Sequence, residues 1–117
     1  MYQRHETGKI GEDLSVEYLI QKGYKIIERN FECRQGEIDI IAKDGDILVF
    51  VEVKSRSNPN YGNPEDFVDL KKQVNIIKAA DAYIELMGYE GEVRFDIVSV
   101  YLDTNKIELI KDAFWSN

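Results

Sequence analysis

One cysteine and one histidine are all that the chain holds of two common metal ligands. A lone Cys33 excludes an internal disulfide and any Cys-rich zinc site. A lone His5, close to the start, argues against a histidine-based metal centre or a Ser-His-Asp triad. No apolar run reaches the roughly 18 residues of a membrane span. The opening stretch "MYQRHETGKIGED" lacks the apolar core of a secretory signal. Together these absences lead us to expect a cytoplasmic protein. An excess of basic residues is also missing. Lys and Arg number 15 against 22 Asp and Glu, a net charge of −7. Proteins that live on nucleic acid usually carry a basic stripe. A nucleic-acid function here therefore needs a local positive surface or a divalent cation.

What is present is an ordinary globular composition, 44% hydrophobic and 32% charged over 117 residues. No repeat, low-complexity tract or linker divides it, so a single domain over residues 1–117 is expected. Ile10, Leu14, Tyr18 and Leu19 fall near helical spacing, with Gly23 as a stop signal, and predict a helix from Glu6 to Lys22. "YKIIERNFEC" reads as a strand. "GEIDIIAK" and "DILVFVEVKSR" read as a hairpin about an Asp44-Gly45 turn. Both prolines fall in the polar loop "SNPNYGNPED". Asn63 and Pro64 predict the start of a second helix that carries Phe67, Leu70, Val74, Ile77, Ala80, Ala82 and Ile84 to about Met87 and stops at Gly88, with Phe67, Ile77 and the Tyr83 region read as core. "EVRFDIVSVYLD" alternates as a strand, and "NKIELIKDAF" supplies a last one. The order αβββαβ plus a terminal strand predicts an α/β fold with a mixed central sheet flanked by helices.

The strand Ile47–Val53 is apolar except where Glu52, and then Lys54, interrupt it. Two residues apart, both side chains point to one face. With Asp44-Gly45 as the turn, Asp39 lies opposite Phe50 and Glu37 opposite Glu52, so Glu37, Asp39, Glu52 and Lys54 share that face. Asp39 and Glu52 become diagonal neighbours with Cα atoms about 7–8 Å apart, close enough to share an ion. Carboxylates gathered at a sheet face repel, unless a divalent cation sits among their oxygens. Mg²⁺ suits such a set because it takes one or two carboxylates and keeps waters. Lys54 beside it could orient or deprotonate a water, or neutralise charge on a phosphate. The plainer reading is a solvated strand end, since E-x-K alone arises often by chance. The acids of the partner strand "GEIDII" favour a metal-assisted hydrolytic site.

An acid in one strand followed by E-x-K in the next resembles the PD-(D/E)xK nuclease superfamily, with its restriction-endonuclease-like αβββαβ core. More closely, "GKIGEDLSVEYLIQKGYKIIERNF", "GEIDIIAKDGDILVFVEVKSR", "KKQVNIIKAADAYI", "RFDIVSV" and "IKDAF" resemble the YraN family of small bacterial proteins over nearly the whole chain. The resemblance implies that Asp39 and Glu52 are metal ligands, with the Val53 backbone carbonyl assisting, and that Lys54 is the catalytic lysine. It places Glu12 near the metal site and gives Gln73 a supporting role. Ile38 stands where the superfamily's proline would precede Asp39, a common departure.

Two functions are consistent with these residues. One is a Mg²⁺- or Mn²⁺-dependent endonuclease that hydrolyses DNA, including branched DNA, with Arg56, Lys71 and Lys72 as phosphate contacts. Cutting two strands would need two sites, which makes a homodimer a candidate arrangement. The other is a non-catalytic nucleic-acid-binding or scaffold protein that keeps the nuclease fold, which the acidic balance favours. Arg94 and Asp96, on one strand face, read as a structural pair.

Overall fold

The computed structural model describes residues 4–56 and 68–115, with side chains from Gly8 onward. The elements run α1 (Arg4–Gln21), β1 (Lys25–Cys33), β2 (Gly36–Asp44), β3 (Ile47–Arg56), α2 (Leu70–Met87), β4 (Val93–Tyr101) and β5 (Lys106–Phe114). This is the αβββαβ order of a restriction-endonuclease-like core with one strand added. The expected proline-containing loop and the helix start at Asn63-Pro64, with Phe67, lie outside the described residues.

The five strands form one sheet in the order β1-β2-β3-β4-β5. β3 and β4 pair in parallel and the other neighbours antiparallel. Parallel partners need a long crossover, and α2 lies within it. β3 and β4 are interior strands covered on both faces, which explains why Ile47–Val51 of β3 reads as an apolar run rather than an alternating one. Leu19 and Tyr24 pack with Val49, Val51, Val98 and Val100 on one face. Ile76 and Tyr83 of α2 pack with Phe50, Phe95, Ile97 and Phe114 on the other. Among the described residues, no helix is long and apolar enough to cross a membrane.

Three sequence expectations need correction. The hairpin turn lies one residue later than expected, which shifts the pairing register by two: Asp44 pairs with Ile47, and Gly45 and Asp46 form the turn. Gly45, with φ +62°, takes the first turn position, where two-residue hairpins favour glycine. The register therefore moves Asp39 away from Phe50, which pairs with Ile41, and toward Glu52. Because the side-chain period is two, a shift of two residues leaves the paired residues Ile40–Asp44 on their predicted faces.

The second correction concerns α2. Asp69 caps it, its carboxylate accepting the Lys72 N–H. Its buried stripe is Ile76, Ala79, Ala80 and Tyr83, while Leu70 is 74% exposed and Val74 is exposed. Two adjacent alanines let the helix lie close to the aromatic layer of the sheet, and their phase wins over that of the larger residues. The third concerns α1, whose buried residues Gly11, Ser15 and Leu19 are mostly small. A Cβ on Gly11 would collide with Ser55 Oγ and stand 3.0 Å from Ser55 Cβ. That glycine lets α1 approach the end of β3.

Candidate active site

β2 and β3 part company where the acids begin. Their pairing ends at Ile40 and Val51, and Val53 N–H donates instead to Asp39 Oδ2 at 2.8 Å. Side-chain alternation along β2 is interrupted at the same point. Ile38 packs on the α2 side of the sheet and Ile40 on the opposite side. Asp39 is thus held by backbone at the mouth of a fork between two strands.

Glu52 stands two residues beyond Phe50 on the α2 face and is only 3% exposed. Burying an unpaired carboxylate would cost several kcal/mol. Lys72, in the first turn of α2, offsets this: its Nζ lies 2.7 Å from Glu52 Oε2. The approach is off the direction of a good hydrogen bond, so that oxygen has an ionic partner but no aligned donor. Burial raises the Asp39 pKa to about 9, with a hydrogen bond to Glu52 and the charge of Glu52 adding to the effect. In the absence of a cation these two acids share space best when a proton sits between them.

Lys54 follows on the same strand, half-buried. Burial and the neighbouring charge of Lys72 lower its pKa, against the pull of Glu52. Burial also acts to lower that of Lys72, yet the close contact with Glu52 and its charge outweigh it and the net direction is up. A cleft of about 970 Å³ opens beside this group. Asp39, Lys54 and Lys72 line it from β2, β3 and α2, and Glu12, Arg29 and Asn30 from α1 and β1. A smaller opening of about 340 Å³ exposes Glu37, Asp39, Glu52, Lys71 and Lys72 from the α2 side.

The structure brings Asp39, Glu52 and Lys54 together, with Lys72 as a fourth member. The other expected residues stand apart. Glu12 lines the cleft, but its Oε1 accepts from Arg29 Nε at 2.8 Å and Asn30 Nδ2 at 3.0 Å. Asn30 is held at φ +54° in β1, a conformation that asparagine tolerates better than most residues. Gln73 turns away: its Nε2 donates to Val68 O at 2.8 Å. Neighbours on a helix differ by about 100° around its axis, so Lys72 and Gln73 cannot both face the acids. Glu37 is exposed, its pKa raised by burial and then by Glu32, Glu12 and Glu52. It borders the acid pair without joining it. Among the described residues, no three His, Cys, Asp or Glu side chains gather into a metal-holding group.

Lys71 is exposed at the smaller opening, and Arg56 ends β3 with its carbonyl taken by Leu102 N–H at 2.7 Å. The expected Arg94–Asp96 pair is present and belongs elsewhere. Asp96, fully buried, accepts from Arg94, Tyr24 O–H and Asp112 N–H.

Sequence reasoning missed the Lys72–Glu52 contact, although one signal was available. Lys71 and Lys72 occupy the first turn of α2, where the helix dipole disfavours cations. Helices rarely place lysines there for their own stability, which points to a partner outside the helix.

A mixed sheet in αβββαβ order, with an acid pair and an E-x-K lysine at the fork of β2 and β3, defines a PD-(D/E)xK-like α/β protein. The chain belongs to the YraN family: residues 11–100 match the family described as "Uncharacterised protein family UPF0102". A UPF0102 protein of Christiangramia forsetii is 46% identical over 98% of both chains. One of Syntrophus aciditrophicus is 49% identical over 97% of this chain and 92% of its own. Among solved structures, Pyrococcus furiosus SfsA in complex with Ca²⁺ aligns at 15% identity and a TM-score of 0.32. That alignment covers 90% of this chain and 62% of that one.

Proposed function

We propose that this protein is a metal-dependent phosphodiesterase that hydrolyses DNA, with branched DNA among its substrates. The observation that carries the reading is the convergence of two sequestered acids with a half-buried lysine at an open cleft. Asp39 and Glu52 fit a divalent cation. One has its pKa lifted to about 9 by burial and by the other, and Glu52 Oε2 is buried without an aligned donor. Two carboxylates are what Mg²⁺ accepts from protein when waters and phosphate complete its shell. When bound, Mg²⁺ or Mn²⁺ would supply an activated water and charge stabilisation at phosphorus.

Asp39 and Glu52 would hold the cation. In extended backbone the N–H and C=O of one residue face the same edge. Val53 N–H faces β2, and Leu48 N–H faces the opposite side, toward Glu92 O. The Val53 carbonyl is therefore turned to the β2 edge beyond the last paired residues, where it can assist the acids. Lys54 holds its ammonium at the cleft, where it can orient a water or offset charge on a phosphate. Lys71 and Lys72 add positive charge on the α2 side and Arg56 is a further candidate for the backbone. If both strands of a duplex are cut, two copies of the chain would supply the two sites.

The second reading, a fold kept for binding without turnover, draws on the net charge of −7 and on Glu12, Asp13 and Glu37 at the cleft. One experiment separates the two. Labelled linear, single-stranded, flapped and four-way DNA are incubated with the protein and Mg²⁺ or Mn²⁺. Cleavage of any of them that disappears with chelator supports the enzyme. Binding without cleavage across the panel supports the scaffold.

A further inference from the structure

We infer that Lys72 is an exchangeable counter-ion: it neutralises Glu52 in the metal-free protein and moves to a DNA phosphate when a divalent cation takes the acids. The inference rests on the metal-dependent reading above and names the residue that couples cation binding to substrate binding.

Three observations lead to it. The first is charge balance. With both acids ionised, as a bound cation requires, Asp39 and Glu52 already balance Lys54 and Lys72, two charges against two. A divalent cation added to both lysines would leave a strong positive excess in a partly buried site, and one lysine has to withdraw. The second is mobility. Lys54 is only partly exposed on a central strand, whereas Lys72 is exposed and stands at the surface end of a helix. Its four-carbon stem can swing while its backbone stays fixed, because its own N–H is held by Asp69 Oδ1 at 2.8 Å. The third is position. Lys72 is the third residue of α2, where a capping box would carry Glu or Gln and where the dipole opposes a cation. The helix gains nothing from a lysine there, and Glu52 does.

Lys72 also borders both openings next to the acids, so the ammonium released from Glu52 is already at the entrance that a phosphate would use. Cation binding would then create positive surface at the moment that DNA needs it. This offers a local answer to the acidic balance of the chain.

The test is Mn²⁺ titration by calorimetry of the full chain and of Lys72→Met, Lys72→Arg and Lys78→Met. Removing a charge a few ångströms from the cation should tighten Mn²⁺ binding by roughly tenfold in Lys72→Met. Lys72→Arg keeps the charge and should stay within about threefold of the wild type. Lys78→Met, two turns along α2, should bind like the wild type and controls for loss of helix charge. Circular dichroism checks that each variant folds, and Lys72→Gln replaces Lys72→Met if the latter does not. DNA affinity, read by anisotropy with Ca²⁺ in place of Mg²⁺, should fall in Lys72→Met, with about one ion less in its salt dependence. Wild type that binds Mn²⁺ while Lys72→Met binds it equally or more weakly overturns the exchange and leaves the metal-site reading standing. Wild type that binds no Mn²⁺ overturns both.

Discussion

The carboxylate of Asp39 accepts the backbone N–H of Val53 at 2.8 Å, two residues past the end of the β2–β3 ladder at Val51 and one residue past Glu52. The bond fixes where the strands fork. It also ties the acid of one strand to the backbone of the next, so that Asp39, Glu52 and Lys54 form a unit before any ligand arrives.

The raised pKa of Asp39 makes a pH prediction for protein in chelator. The unfolded carboxyl titrates near its ordinary 3.8 and the folded one at about 9, so the folded state holds more protons in between. Stability is then greatest toward the acid end of that window and falls as pH rises through it, by at most about 1.4 kcal/mol per pH unit. Urea denaturation at pH 5.5, 7 and 8.5 (values chosen at roughly even steps within the window) should show the fall. Asp39→Asn should flatten it. A wild-type stability that rises over this range contradicts a proton held between Asp39 and Glu52.

Lys54→Ala should reduce DNA cleavage by a factor of about 10² to 10⁴, the usual contribution of a positioned acid, base or cation, without loss of fold. Single-turnover cleavage of a flapped or four-way substrate measures it. Equal rates for the variant and the wild type would show that Lys54 has no part in the chemistry.

Gly11→Ala should destabilise the protein by about 1–3 kcal/mol, a typical cost of overpacking, although alanine is the better helix former. The added Cβ meets Ser55 Oγ and Cβ. In the double variant with Ser55→Gly the two effects should be less than additive, as expected for residues in contact. Thermal denaturation of the four proteins decides, and strict additivity would place the strain elsewhere.

Asp96→Ala should cost about 3–5 kcal/mol, the range found when one partner of a buried ion pair is removed. It strips Arg94 of its closest acid and leaves Tyr24 O–H and Asp112 N–H without their acceptor. Asp112 has φ +56° beside the register shift between β4 and β5, so β5 should loosen first. Hydrogen exchange resolved by segment would detect that order, and uniform protection in the variant would refute it.

Local chemistry alone determined much of this protein. Apolar strands, a helix stop at Gly23 and another at Gly88, and glycine in a tight hairpin each act within a few residues, and their elements stand close to where the sequence places them. The face shared by Asp39, Glu52 and Lys54 survived an error in the turn because side chains on a strand repeat every two residues. Tertiary structure decided what local pattern leaves open. Helix α2 carries apolar residues on more than one side, and only the fit of Ala79 and Ala80 against the sheet selected the phase that buries Ile76 and exposes Leu70. That phase in turn aimed Lys72 at Glu52 and turned Gln73 away. Glu12 faced the cleft as expected, but Arg29 and Asn30, distant in sequence, took its carboxylate. Ion pairs between separate elements depend on helix rotation and strand divergence, which packing sets and sequence spacing does not encode.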